Sequence, residues 1–102
     1  MTRGTTPTIT LTVTDVPLTG ASLYLAFRQG RHLLIKSGED LTVDTTNSTI
    51  EVTLTQAETL QFAPGNCEIQ VRGVYATGTS FATEIINDQV YDVLQNGVID
   101  TE

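Results

Sequence analysis

From Thr8 to Thr14 the chain reads TITLTVT, with a threonine at every even position and Ile9, Leu11 and Val13 between them. Successive side chains of an extended strand point to opposite sides, so this run presents one apolar face and one hydroxyl face. A helix would scatter the same residues around its axis; only a strand gathers them on one side. This two-residue period returns along most of the chain and constrains the fold more than any other feature.

In SLYLAFR, Leu23, Leu25 and Phe27 share one face while Tyr24, Ala26 and Arg28 share the other. Gln29-Gly30 followed by RHLLIK reads as a tight hairpin, with Leu33 and Ile35 on one face of the returning strand. The stretch DVPLTGA before this hairpin breaks the alternation with a proline and a glycine, as a loop or crossover does. Leu41 and Val43 suggest a short strand, and DTTNS (residues 44–48) is rich in side chains that bond their own backbone in turns. TIEVTLT repeats the opening pattern with Ile50, Val52 and Leu54 inward. CEIQVRGVY does so with Cys67, Ile69, Val71 and Gly73 on one side. The last extended segment, SFATEIINDQVYDVL, slips its period near Ile85-Ile86, which predicts a bulge or bend there.

One stretch departs from this period. TQAE (Thr55 to Glu58) has capping-box spacing, so a short helix is expected near residues 56–61. It carries Leu60 and Phe62 toward the core and ends at Pro64-Gly65-Asn66, because neither proline nor glycine continues a helix cheaply. About seven short strands with turn signals between them predict an all-β protein, an antiparallel immunoglobulin-like β-sandwich with that one helix. Nineteen threonines agree with it. At 102 residues, without repeat or linker, residues 1–102 are read as a single domain.

The chemistry is sparse. Five Lys and Arg against twelve Asp and Glu give a net charge of -7, which argues against nucleic acid and anionic membranes as partners. Cys67 is the only cysteine and His32 the only histidine, so neither an internal disulfide nor a structural zinc site can be assembled. Any Ser-His-Asp or Cys-His site would have to use His32, and no activated nucleophile stands beside it. Cys67 begins a core strand and reads as a small buried hydrophobe. Asp15, Asp40, Asp44 and Asp88 lack the spacing of a calcium loop. The threonine row occurs once in full, too few rungs for an ice-binding ladder. Asn47-Ser48-Thr49 matches a glycosylation sequon but is read as a turn. The expectation is therefore no enzyme, no catalytic or metal site and no cofactor. Nothing at the amino terminus resembles an export signal and no apolar run is long enough for a membrane helix, so synthesis in the cytosol, with no signal for export by the usual route, is expected.

Charge is distributed unevenly. Arg28, Arg31 and Lys36, with His32, fall on the hairpin, whereas after Arg72 only acids follow: Glu84, Asp88, Asp92, Asp100 and Glu102. These two regions either neutralise within the fold or meet between copies in an oligomer. Arg28, Arg31 and Lys36, together with the apolar pair Val98 and Ile99 near the end of the chain, are the candidate protein-interface residues, and the opening threonine strand is a candidate edge.

RGTTPT (residues 3–8), IEVTLTQAETLQF (50–62) and PGNCEIQVR (64–72) resemble short prophage-encoded proteins of Gram-positive bacteria. The order LTGASLYLAF, VTLTQAET, PGNCEIQV is similar to the amino-terminal immunoglobulin-like domain of phage baseplate upper proteins. This resemblance covers nearly the whole chain. It implies a noncatalytic structural protein of a phage or prophage, associated with tail or baseplate, whose partners are other phage structural proteins or copies of itself, and whose final place is the virion. Baseplate upper proteins continue into long carboxy-terminal regions that contact receptor-binding proteins. The 102 residues here contain no such region, so receptor attachment is not carried over. The alternative from another class is a glycan-binding β-sandwich module, which needs an exposed aromatic platform; Tyr24, Tyr75 and Tyr91 are its candidates.

Overall fold

The computed structural model describes residues 1–100. Its strands are β1 (Thr8–Thr12), β2 (Ala21–Gln29), β3 (His32–Ser37), β4 (Leu41–Asp44), β5 (Thr49–Thr53), β6 (Gly65–Tyr75), β7 (Ser80–Ala82) and β8 (Ile86–Val90), with one α-helix, α1 (Gln56–Leu60). A 3₁₀ turn at Gly38–Asp40 joins β3 to β4. Every strand pair is antiparallel. One sheet runs β1-β5-β4; the other runs β3-β2-β6, with β7 and β8 both on the far side of β6. With β7 and β8 counted as one interrupted edge, this is the immunoglobulin order: β1, β5 and β4 stand where strands B, E and D stand, and β3, β2, β6 and β7/β8 where C′, C, F and G stand.

Alternation builds the core. Leu23, Leu25 and Phe27 of β2 face Cys67, Ile69 and Val71 of β6 on the inner side of the larger sheet, and Ile50, Val52 and Leu54 close over them from the smaller one. The opening threonines point the other way: Thr8, Thr10 and Thr12 lie exposed on the outer face of the smaller sheet, beside Thr49, Glu51 and Thr53 of β5. β1 is an edge strand, as expected.

Turn chemistry fixes the register. Gly30 and Arg31 are the two residues between β2 and β3, and Gly30 takes φ +58°, which the first central position of such a turn requires. The Asp44 carboxylate accepts from the backbone N–H groups of Thr46 and Asn47 at 3.0 and 3.1 Å, closing the β4–β5 turn. At α1 the capping box is complete: Thr55 Oγ1 accepts from Glu58 N, and Glu58 Oε1 accepts from Thr55 N. Phe62 is buried beyond the helix, while Leu60 is only half-buried.

The expected slip in the last segment is a bulge. β7 ends with Ala82 opposite Arg72 and β8 resumes with Ile86 opposite Ile69, so Thr83–Ile85 are three residues facing two. Thr83 repairs the ladder: its N–H donates to Val71 O at 2.9 Å, and its hydroxyl accepts from Val71 N at 3.1 Å. This is why the final extended run divides and the sandwich has eight strands instead of about seven.

A latch not anticipated from the sequence closes one end. Arg3 Nε donates to Phe62 O at 2.6 Å, and its Nη1 reaches Asp92 and Asn96, each at 2.8 Å. Thr2 pairs in parallel with Tyr91. The segment before β1 thus lies along the end of β8 and ties the chain after it to the α1 corner.

Candidate functional site

The outer face of the five-stranded sheet is left uncovered. In a two-residue hairpin the pairings Arg28↔Leu33, Ala26↔Ile35 and Tyr24↔Ser37 put all six residues on one face. Since Leu23, Leu25 and Phe27 occupy the inner face, Leu33 and Ile35 stand outward, 55% and 53% exposed. Tyr24 on β2 and Ile85 at the bulge are exposed on the same side. Two shallow depressions cross this surface. One, of about 420 Å³, is lined by Tyr24, Ala26, Ile35, Arg72 and Val74 among others. Ala26, Arg28, Leu33, Glu68, Gln70 and Ile85 line the other.

The hairpin cations do not form one patch. Arg28 is outward and donates from Nε and Nη2 to Glu68 Oε1 at 3.1 and 2.8 Å. Lys36 pairs with Leu25, hence lies inward, and forms an ion pair with Glu58 of α1. His32 is inward too, its ring edge-on to Phe62 at 4.8 Å. Arg31 stands exposed at the turn, and it has no ion pair among the described residues. Strand alternation therefore splits the four residues that are neighbours in sequence.

The acidic end is also divided. Asp92 pairs with Arg3 at 2.8 Å, and Asp88 accepts from the Met1 nitrogen at 3.0 Å. Glu102 lies outside the described residues. Neither of these acids meets the hairpin, so neutralisation runs through other partners. Val98 and Ile99 are 58% and 56% exposed. Ile99 is nonetheless anchored: its N–H donates to Gln56 Oε1 at 2.9 Å and its carbonyl accepts from Gln56 Nε2 at 3.1 Å.

The other candidates separate. The Cys67 thiol is buried in the core, and burial first, then the nearby Asp88 charge, pushes its pKa up, which disfavours the nucleophilic thiolate. No group of three or more His, Cys, Asp or Glu placed to hold a metal ion occurs among the described residues. Asp44 is engaged in its own turn, where the Asn47 side chain and backbone hold its pKa down. The tyrosines do not form a platform. Tyr24 is on the outer face of β2, Tyr91 lies beyond β8 beside Thr2, and Tyr75 packs on Phe81 with its hydroxyl donating to Pro17 O. No described helix is long and apolar enough to cross a membrane.

His32 has a cost that can be measured. Its Nε2 is buried without a hydrogen-bond partner, and an unpaired buried polar atom costs about 1–3 kcal/mol. His32→Leu is therefore expected to raise stability by roughly 1 kcal/mol in urea titration; a loss of stability would show that the imidazole makes a favourable contact.

Glu58 gives the pH dependence. Burial alone would raise its pKa, but the hydrogen bonds from Lys36 and the Thr55 backbone prevail and hold it below its ordinary value of 4.5. Asp92 is likewise held down, first by the Val93 N–H and then by Arg3. A carboxyl with a lowered folded-state pKa stabilises the fold above its ordinary value and loses that contribution as pH falls through the folded value. Melting temperature is expected to be level above about pH 5 and to fall steadily below about pH 4.5. Glu58→Gln keeps an acceptor for the Thr55 N–H but leaves Lys36 without its counter-charge. It should cost roughly 1 kcal/mol at pH 7 and flatten the acid limb; an unchanged limb would exclude this pair as a source of acid sensitivity.

No protein-family model matches the sequence, and neither does any curated protein.

Proposed function

We propose that this protein is a noncatalytic structural module of a phage or prophage particle, associated with tail or baseplate and acting through protein contacts. The observation that carries the reading is the outer face of the β3-β2-β6 sheet, where Tyr24, Leu33, Ile35 and Ile85 are exposed together. Apolar side chains grouped on one sheet face are a feature of protein-contact surfaces. The titratable groups are spent differently: Glu58, Glu68 and Asp92 are engaged in ion pairs, and His32 is turned into the core. Similarity of RGTTPT, VTLTQAET and PGNCEIQV to prophage proteins and baseplate upper proteins supplies the particle.

Mass spectrometry of particles purified after prophage induction tests this reading. The chain is expected at a fixed ratio to the tail proteins. Its absence from particles that contain complete tails and baseplates would overturn the proposal, as would a gene lying among sugar-metabolism or adhesin genes with no structural phage genes nearby.

A further inference from the structure

The larger sheet ends at β3, whose far side pairs with no other strand among the described residues. Exposed edges are normally blunted, since a row of free N–H and C=O groups templates further pairing. The other edges here are blunted. β4 has only four residues and ends in Asp44; the β7/β8 edge is interrupted by the bulge, and its end is covered by Thr2. β1 is preceded by Pro7 and shows solvent a face of threonines. β3 has six residues, no proline and no bulge, with Leu33 and Ile35 outward. Its one guard, the inward Lys36, is neutralised by Glu58 of the same chain.

The backbone of β3 is poised for addition. Gln29 and His32 flank the two-residue turn, so they form the hydrogen-bonded pair that closes the hairpin. Pairs alternate along an antiparallel ladder, so His32, Leu34 and Lys36 direct their backbone groups to β2, and Leu33, Ile35 and Ser37 direct theirs away from it. Two of these three residues with free backbone groups, Leu33 and Ile35, have exposed apolar side chains.

Charge specifies the occupant. Arg31 precedes β3 and Glu39 follows it, both exposed and neither in an ion pair among the described residues. An edge that is positive at one end and negative at the other complements its own reverse. We infer that β3 pairs antiparallel with β3 of a second copy about a two-fold axis at Leu34, joining two sandwiches through one continuous sheet. Leu33 then faces Ile35 of the second copy, each exchanging backbone N–H and C=O bonds, and Arg31, opposite Ser37 of the second copy, comes to the end of the edge where the 3₁₀ turn carries that copy's Glu39. The inference deepens the proposed structural role by naming a second copy as a partner. It rests on that reading only for its place in a particle.

Sedimentation equilibrium of the full chain tests the edge. Up to about 1 mM chain, within reach of weak dimers, the wild type is expected to approach twice the 11.0 kDa chain mass. Ile35→Lys, which sets a cation beside Arg31 of the second copy, should return it to monomer. Arg31→Glu should weaken association roughly tenfold, because two attractive contacts become repulsive, and adding Glu39→Arg should restore it. All three positions are exposed, and unchanged circular dichroism and melting confirm folding. A wild type that is monomeric throughout overturns the inference, as does a dimer indifferent to Ile35→Lys; failure of the charge reversal to rescue overturns the antiparallel register. Particle proteomics can fail while the dimer stands, and the dimer can fail while the chain is found in particles.

Discussion

Phe62→Ala is expected to cost about 3–5 kcal/mol, the range for removing a buried aromatic ring. A domain of this size has only about 5–15 kcal/mol to lose, so the variant should unfold at much lower urea with its m-value unchanged. The size of the effect follows from what the ring joins. It is 1% exposed, set edge-on to Phe27 with centroids 6.4 Å apart and to His32 at 4.8 Å. It therefore connects the chain after α1 to both strands of the β2–β3 hairpin. Its own carbonyl accepts from Arg3, so a shift of the α1 corner into the space left by the ring would also strain the latch at the start of the chain. Its ring neighbours, Phe27 and His32, are held on the paired strands β2 and β3, which limits collapse, and a cavity that stays open costs the most. Phe62→Leu keeps most of the volume and should cost less than about 1.5 kcal/mol. A midpoint shift for Phe62→Ala equivalent to less than about 1 kcal/mol would mean that the corner repacks and the ring is not a central connection.

How much of this was legible in the sequence depends on the range of the interaction. The two-residue period identified the inward residues of β2, β5 and β6, because burial of one face is decided strand by strand. Capping at Thr55 and Glu58 involves residues three apart, and the turn at Gly30 needs one residue with positive φ; both signals are local and both were visible. The slip at Ile85-Ile86 showed as a broken period, although only the pairing partner Val71 reveals Thr83 as the residue that repairs the ladder. Where the reading ran out, contacts join distant positions. Arg28, Arg31, His32 and Lys36 look like one basic cluster in the sequence, yet Lys36 pairs opposite Leu25 and turns inward to Glu58, whereas Arg28 turns outward to Glu68. The parity of a two-residue hairpin contains that separation, but only once Leu25 is known to be buried. Arg3 could not have been found this way: its partners are Leu60, Phe62, Asp92 and Asn96, on segments far away in sequence. The face now read as an interaction surface was visible only as alternation at Leu33 and Ile35; which side they occupied follows from the two-residue hairpin register with Leu25 and Phe27 inward.

Gly73 is the position where the least added matter should do the most harm. It continues the inward row of β6 after Cys67, Ile69 and Val71, each of which carries a side chain. A Cβ built there would lie 2.4 Å from Phe81 Cε1 and 3.0 Å from Leu23 Cδ2. The Phe81 ring, held at 5.7 Å from Tyr75, takes the volume that a residue at 73 would fill. β6 supplies the backbone, and β7, paired to it at Gly73↔Phe81, supplies the side chain. The glycine is needed for this space and not for its torsions, since its φ lies outside the positive range that seven other glycines adopt. Gly73→Ala forces the ring from its place and is expected to cost about 2–3 kcal/mol, as overpacking does. The decisive measurement is the double-mutant cycle with Phe81→Ala. Phe81→Ala alone opens a gap and should cost about 2 kcal/mol or more, but with Gly73→Ala the new methyl occupies part of that gap. The double variant should be more stable than the summed single losses by at least about 1 kcal/mol. Additive losses would mean that the two sites do not share one volume, and that something other than the ring forbids a side chain at position 73.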